Sequence, residues 1–224
     1  MRAHGPLKAV LFDFDGTILD TETPEFEEWR AVFRERGHEL GLDVWQHSLG
    51  TVGAYDPCAH LAELGGPEFD GDLLRQEVAA RHHARCASQP LLAGVVDRLR
   101  EARAAGLGTA VASSSPSAWV EGWLEHHGIR GLFDAVCTRD QVERVKPAPD
   151  LFALAAQRLQ AIPAACVVFE DSPNGVRAAR AAGMPCVAIP NALTRHLHLG
   201  DADLVIESLA DHTLAEILAR LGRG

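Results

Sequence analysis

Asp13 and Asp15 stand two positions apart in the stretch VLFDFDGTILD, where an apolar run ends and a glycine follows. Two like charges so close need a shared task or a shared counter-charge. Polar residues also follow two other apolar runs: Ser113, Ser114 and Ser115 after GTAVA, and Glu170 and Asp171 after CVVF. In an open parallel sheet, ligands bind beyond the carboxyl ends of the strands. If these runs are strands of one such sheet, all of these groups meet on one edge. Four carboxylates in a small volume raise one another's pKa unless a cation offsets them. An oxygen-only donor set without His or Cys suits a hard divalent ion, and Mg²⁺ also accepts substrate phosphate oxygens. Lys146, in VKPAPDLF, precedes Pro147 and so sits on extended backbone just ahead of a helix. Beside such a site its ammonium would hold a phosphate oxygen and counter the carboxylates.

The elements that must position these groups follow from hydrophobic pattern. Short apolar runs predict strands at 8–12, 108–112, 135–137, 166–170, 186–190 and 203–208. Amphipathic stretches predict helices at 94–106, 117–128, 149–160, 174–183 and 214–222, several of them ending on glycine. Continuously apolar strands alternating with helices indicate an α/β fold: a doubly wound, Rossmann-like parallel sheet with helices on both faces. One interval breaks this rhythm. Residues 19–90 contain no good strand and read as helices at 23–37, 43–50, 57–65 and 71–89, with Thr23 and Pro24 as N-cap and first helical residue. The expected organisation is therefore a core of residues 1–18 and 91–224 with an all-α insertion over residues 19–90.

Composition excludes several classes. The chain has 224 residues, 47% hydrophobic and 23% charged, as in an ordinary globular protein. A formal net charge of −10 argues against a nucleic-acid-binding surface. No apolar run approaches the ~20 residues that span a bilayer, and the N-terminal MRAHGPLKAV lacks the pattern of an export signal. Five scattered cysteines without a CxxC pair predict buried thiols in a reducing cytoplasm. A monomer is the default expectation. The adjacent pairs His82–His83 and His126–His127 do not share a helix face and read as surface histidines. Trp119 and Trp123, four apart, predict a helix face against the sheet. The serine run lacks the GxSxG elbow of a serine nucleophile.

DFDGT (13–17), Ser113, KPAPD (146–150) and FEDSPNG (169–175) resemble, in order and spacing, the four motifs of the haloacid dehalogenase-like hydrolases. The helical insertion resembles the cap of the subgroup that holds β-phosphoglucomutase-like proteins and sugar-phosphate phosphatases. The resemblance implies that Asp13 is the nucleophile and forms an aspartyl-phosphate. It implies that Asp15 is the general acid and then the base. It implies Mg²⁺ at Asp13, the Asp15 carbonyl and Asp171, supported by Glu170. Ser113 and Lys146, with backbone groups near Gly16 and Ser114, would bind the phosphoryl group, and Thr17 would orient the Asp15 loop. An aspartate at position 15 favours phosphate-ester chemistry over the dehalogenase and phosphonatase branches. In the insertion, Glu25 takes the place of the mutase's cap histidine, and HSLGTVGAYDP offers no counterpart to its phosphate-gripping arginine. Trp45, His47 and Tyr55 are candidates for lining the leaving-group pocket. The expected function is a Mg²⁺-dependent phosphatase acting on a small phosphorylated metabolite such as a sugar phosphate. A phosphosugar mutase is the alternative. A non-catalytic metabolite-binding protein would be expected to carry damaged motifs.

Overall fold

The computed structural model describes residues 6–49 and 55–223. Its strands are β1 (Ala9–Phe12), β2 (Gly108–Ala112), β3 (Ala135–Cys137), β4 (Cys166–Glu170), β5 (Cys186–Ala188) and β6 (Leu204–Val205). They form one parallel sheet in the order β3-β2-β1-β4-β5-β6. The order reverses beside β1, so the switch point of this doubly wound sheet lies between β1 and β4. Register there is tight: Phe12 stands opposite Phe169, and the Asp13 amide donates to the Phe169 carbonyl at 2.9 Å. The next residues along the two strands, Asp13 and Glu170, are thereby neighbours. The last predicted strand, 203–208, shortens to Leu204–Val205 at the sheet edge, where Val205 is exposed.

Successive side chains of a strand point to opposite faces, and β1 shows it. Val10 and Phe12 join one buried cluster with Leu99, Trp123 and Ile217, which lie on α5 (Val95–Ala104), α6 (Ser117–His126) and α9 (Leu214–Arg220). Ala9 and Leu11 join the opposite cluster with Phe152 and Val176, on α7 (Asp150–Arg158) and α8 (Pro173–Ala181). Burial on both faces is why β1 and β4 are apolar throughout until the site begins.

The insertion holds α1 (Glu22–Glu35), α2 (Leu42–Trp45), α3 (Pro57–Leu64) and α4 (Gly71–Cys86). A third apolar cluster lies beneath them, built on Phe26, Trp29, Phe33, Leu61 and Leu74 and joined by Leu193. α1 and α4 are also tied by ion pairs, from Arg81 to Glu28 at 3.5 Å and from Arg85 to Glu28 at 3.2 Å. Incoming and outgoing chains run side by side: Leu19 and Leu91 form an antiparallel bridge, and the Leu92 amide donates to Ile18 O at 2.9 Å. The first helix begins earlier than the Thr23–Pro24 pattern predicts. Glu22 opens it, and the Thr23 amide donates to Asp20 Oδ1 at 3.0 Å, so Asp20 supplies the capping oxygen. Among the described residues, no helix is long and apolar enough to cross a membrane.

The stacked rings of Phe12 and Phe169, centroids 4.7 Å apart and fully buried, join the two strands that carry the site. Phe169→Ala should cost about 3–5 kcal/mol of stability. It should lower the urea midpoint with little change in the denaturant slope. A loss below about 1 kcal/mol would mean that this contact is not a packed core contact.

Candidate active site

The chain leaves β1 into a turn. Asp13 lies at the end of the strand, 7% exposed, and Lys146 reaches it from the loop before α7. The Lys146 ammonium is 2% exposed and donates to Asp13 Oδ1 and, at 2.7 Å, to Glu170 Oε1. It also lies 4.9 Å from the centre of the Phe152 ring. The other Glu170 oxygen accepts from the Asp171 amide at 2.9 Å, the Ser172 amide at 3.0 Å and the Ser172 hydroxyl at 3.1 Å. Ser172 in turn caps α8, its hydroxyl accepting from the Gly175 amide at 3.1 Å. A Cβ on Gly175 would lie 1.7 Å from Glu170 Oε1, so position 175 must be glycine for the carboxylate to fit.

Asp171 completes a buried acidic group with Asp13 and Glu170, one oxygen of each lying within 4.8 Å of the others. Its Oδ2 accepts from Asn191 Nδ2 at 2.7 Å, and Thr17 Oγ1 stands 3.5 Å from its Oδ1. Burial, more than any neighbour, pushes the Asp13 carboxyl up to about 8; Lys146 opposes this, while Glu170 and Asp15 add to it. Asp171 is held well above the ordinary carboxylate range by burial, then by Glu22, Glu170 and Asp13. Burial alone would lower the pKa of Lys146, but Asp13 and Glu170 outweigh it and raise it. Three carboxylates thus face one ammonium, in a place where each charge is expensive. Gly16 leaves room beside them: it adopts φ +84°, and a Cβ there would lie 2.5 Å from Asp171 Oδ2. An oxygen-only, over-negative cluster of this kind fits a hard divalent cation.

Asp15 has different surroundings. Its carboxylate turns away from that cluster and accepts four neutral donors. Thr21 Oγ1 at 2.7 Å and Trp119 Nε1 at 2.9 Å reach Oδ1, while Ser115 Oγ at 2.6 Å and Ser113 Oγ at 3.2 Å reach Oδ2. The hydroxyl of Ser113 is therefore already engaged with Asp15, and it also accepts from the Ser115 amide at 3.0 Å. The buried hydroxyl of Ser114 has no partner. The Gly16 amide donates to Leu19 O at 2.8 Å, which commits that donor to the turn.

Asp13, Asp15, Ser114 and Ser115 open onto a cavity of about 710 Å³ whose far wall comes from the insertion. Glu25, Trp45 and Tyr55 line it. His47 does not: it is exposed, on the short 3₁₀ turn after α2, and lies outside the lining. Residues 50–54, within the segment compared with the mutase's arginine loop, lie outside the described residues. One surface expectation changes, and one core residue gains a second role. His82 is partly buried, lines the cavity and donates from Nε2 to Thr21 O at 2.8 Å. Trp119 packs, partly buried, against the core cluster that holds Trp123, as the i,i+4 spacing predicts, and it also turns its indole N–H into the site. Burial lowers the pKa of His82, which favours the neutral ring.

Sequence reasoning did not identify Asn191, Thr21, His82 or Trp119 as site residues, and it brought Ser115 to the sheet edge without assigning it a role. The strand-end rule would have found Asn191, which follows the run CVAIP, and Ser115 lay inside the serine run already noted. Nothing in the local pattern marks the other three.

Comparison with known proteins shows the family. The sequence model of the haloacid dehalogenase-like hydrolases matches residues 7–183. YhcW of Bacillus subtilis (strain 168) is 42% identical over 215 residues, spanning 96% of this chain and 98% of its own. The fructose-1-phosphate phosphatase YqaB of Escherichia coli (strain K12) is 38% identical over 183 residues, 80% of this chain and 95% of its own. A CbbY variant from Rhodobacter sphaeroides, crystallised with xylulose-(1,5)bisphosphate, aligns with a TM-score of 0.76 at 29% identity. That alignment covers 94% of this chain and 98% of CbbY.

Burial, and then the charge of Asp15, push Glu25 up to about 7 from an ordinary 4.5. A carboxyl whose folded pKa is raised contributes fully below its unfolded value, and the contribution fades as pH rises through the folded value. Stability of the metal-free protein should therefore fall between about pH 5 and pH 8, and fall less in Glu25→Gln, by on the order of 2 kcal/mol. Urea unfolding in the presence of a chelator measures the difference. Equal pH sensitivity of the two proteins would show that Glu25 ionises without penalty.

Proposed function

The chain belongs to the haloacid dehalogenase-like hydrolases, and on that basis we propose a Mg²⁺-dependent phosphatase that cleaves small phosphate monoesters through an aspartyl-phosphate on Asp13. The observation that carries this reading is the contrast between the two carboxylates. Asp13 is clamped by a buried ammonium, while Asp15 is held by neutral donors on the cavity wall.

The contrast divides the chemistry. Lys146 holds the Asp13 carboxylate in place, and that carboxylate attacks phosphorus. As the new bond forms, the bond from phosphorus to the ester oxygen breaks. Asp15, protonated for this step, gives its proton to the departing oxygen. It then takes a proton from the water that attacks the aspartyl-phosphate, which frees inorganic phosphate and restores Asp13. The ring of donors from Thr21, Ser113, Ser115 and Trp119 keeps the Asp15 carboxyl aimed into the cavity through both steps. In this reading Lys146, next to Asp13, and the unpartnered Ser114 hydroxyl on the cavity wall meet the equatorial phosphoryl oxygens.

Asp13, Asp171 and the Asp15 carbonyl would hold the metal. Glu170, with one oxygen on Lys146 and the other on three donors, supports it at one remove. Bound there, Mg²⁺ would offset the surplus negative charge and draw a phosphoryl oxygen toward Asp13. Residues 19–90 act as the cap: they supply Glu25, Trp45 and Tyr55 and exclude bulk water during the first transfer. Hydrolysis is distinguished from phosphosugar isomerisation by its product, free phosphate in place of an isomeric sugar phosphate.

Asp13→Asn should abolish phosphate release, and a chelator should do the same until Mg²⁺ is restored. Undiminished activity of purified Asp13→Asn protein would overturn the mechanism. Asp15→Asn should lower kcat on a sugar phosphate by about 10²–10⁴-fold. It should affect acetyl phosphate far less, because that leaving group needs little help from a proton. Equal losses on both substrates would remove Asp15 from the acid role.

A further inference from the structure

The leaving-group half of the cavity has an unusual charge balance. Among the described residues that line it, Arg75 on α4 is the one permanently charged cation. Its guanidinium is already engaged. One nitrogen donates to both oxygens of Asp56, at 3.1 and 2.8 Å, and another donates to Asp72 at 3.1 Å. Two carboxylates therefore offset Arg75 before any ligand arrives. Glu25 faces the same space, where burial and then the charge of Asp15 make its ionisation costly. The compensating ammonium, Lys146, lies at the reacting end, buried against Asp13 and Glu170.

In the phosphatase reading one phosphoryl group is accommodated at the Asp13 end, where a divalent cation on Asp13 and Asp171 would join Lys146 in offsetting the charge. A second anionic group on the leaving alcohol would meet Arg75 already offset by Asp56 and Asp72, with no other permanent cation among the described lining residues. Hydroxyl groups meet the opposite situation. They donate hydrogen bonds to carboxylates, and the apolar C–H faces of a polyol match the aromatic walls of Trp29, Trp45, Tyr55 and Trp119.

We propose that the substrates are monophosphate esters of uncharged polyhydroxyl alcohols, and that bisphosphates and phosphorylated acids are rejected. Asp56 is a specificity determinant, because it pairs with the guanidinium that Arg75 brings to the cavity wall. This assignment rests on the phosphatase reading above, but its test does not require turnover.

The decisive comparison is fructose 1-phosphate against fructose 1,6-bisphosphate, which share the scissile group and differ in the second phosphate. With Mg²⁺ present, kcat/KM should favour the monophosphate by about tenfold or more. 2-Phosphoglycolate should be as poor a substrate as the bisphosphate. Binding of the two fructose phosphates to Asp13→Asn protein, measured by calorimetry, should show the same order. Asp56→Asn keeps an oxygen that can cap α3 for the Cys58 and Ala59 amides, so the fold is retained. By releasing Arg75 it should shrink the preference severalfold. Equal or tighter binding of the bisphosphate to Asp13→Asn protein overturns the proposal, as does a preference that Asp56→Asn leaves unchanged. Phosphate release from acetyl phosphate reports separately on the phosphatase reading, so the two failures are distinguishable.

Discussion

Lys146 lies between Asp13 and Glu170 where almost no water reaches, and the carboxyl edge of the sheet is arranged around that buried cation. An ammonium so placed is tolerable only with partners, and buried carboxylates are tolerable only with a cation nearby. Each group therefore constrains the others. Asp13 must lie at the end of β1, Glu170 at the end of β4, and the two strands must be adjacent and in register. The parallel order around the switch point meets all three conditions. The stacked phenylalanines one residue earlier secure the same register from within the core.

Glu170 extends this constraint into the next helix. One oxygen meets Lys146, and the other gathers the amides of Asp171 and Ser172 and the hydroxyl of Ser172. The start of α8 is therefore built onto the carboxylate, with Gly175 leaving the space it needs. Asp171 is aimed toward Asp13 by this turn and by Asn191 from beyond β5. The net result is a surplus of negative charge in a dry pocket. That is an unfavourable arrangement for an isolated chain and a suitable one for a divalent cation with a phosphate.

Two aspartates separated by one residue thus come to differ in character. Asp13 shares the buried ion pair, while Asp15 accepts from Thr21, Ser113, Ser115 and Trp119 at the cavity wall. Alternation along extended chain would point residues two apart to the same side, so the separation comes from the turn that begins at Phe14 and includes Gly16. The donors to Asp15 come from the first turn of the insertion and from the β2–α6 region of the core, so both parts of the chain orient it.

Much of this was legible in the amino-acid sequence. The sheet, its helices and the meeting of Asp13, Glu170 and Asp171 follow from rules of short range, whereas Lys146, in the loop well beyond β3, was joined to them by the family resemblance. Apolar runs make strands, parallel strands share a carboxyl edge, and polar residues just past that edge must converge. Those rules depend on the period of the chain and on strand direction, both of which a sequence carries. The partners of Asp15 do not follow from them. Trp119 and His82 lie on helices far apart in sequence, and only the angle at which α4 packs near α6 brings their rings to 5.2 Å. His47 shows the converse: a residue type suited to a pocket, on a turn that faces solvent. Helix bearing is set by how apolar clusters interlock in three dimensions. The sequence determined the reacting end by itself, and the packing of the inserted helices decided the walls of the cavity, because side-chain direction across separate elements has no local code.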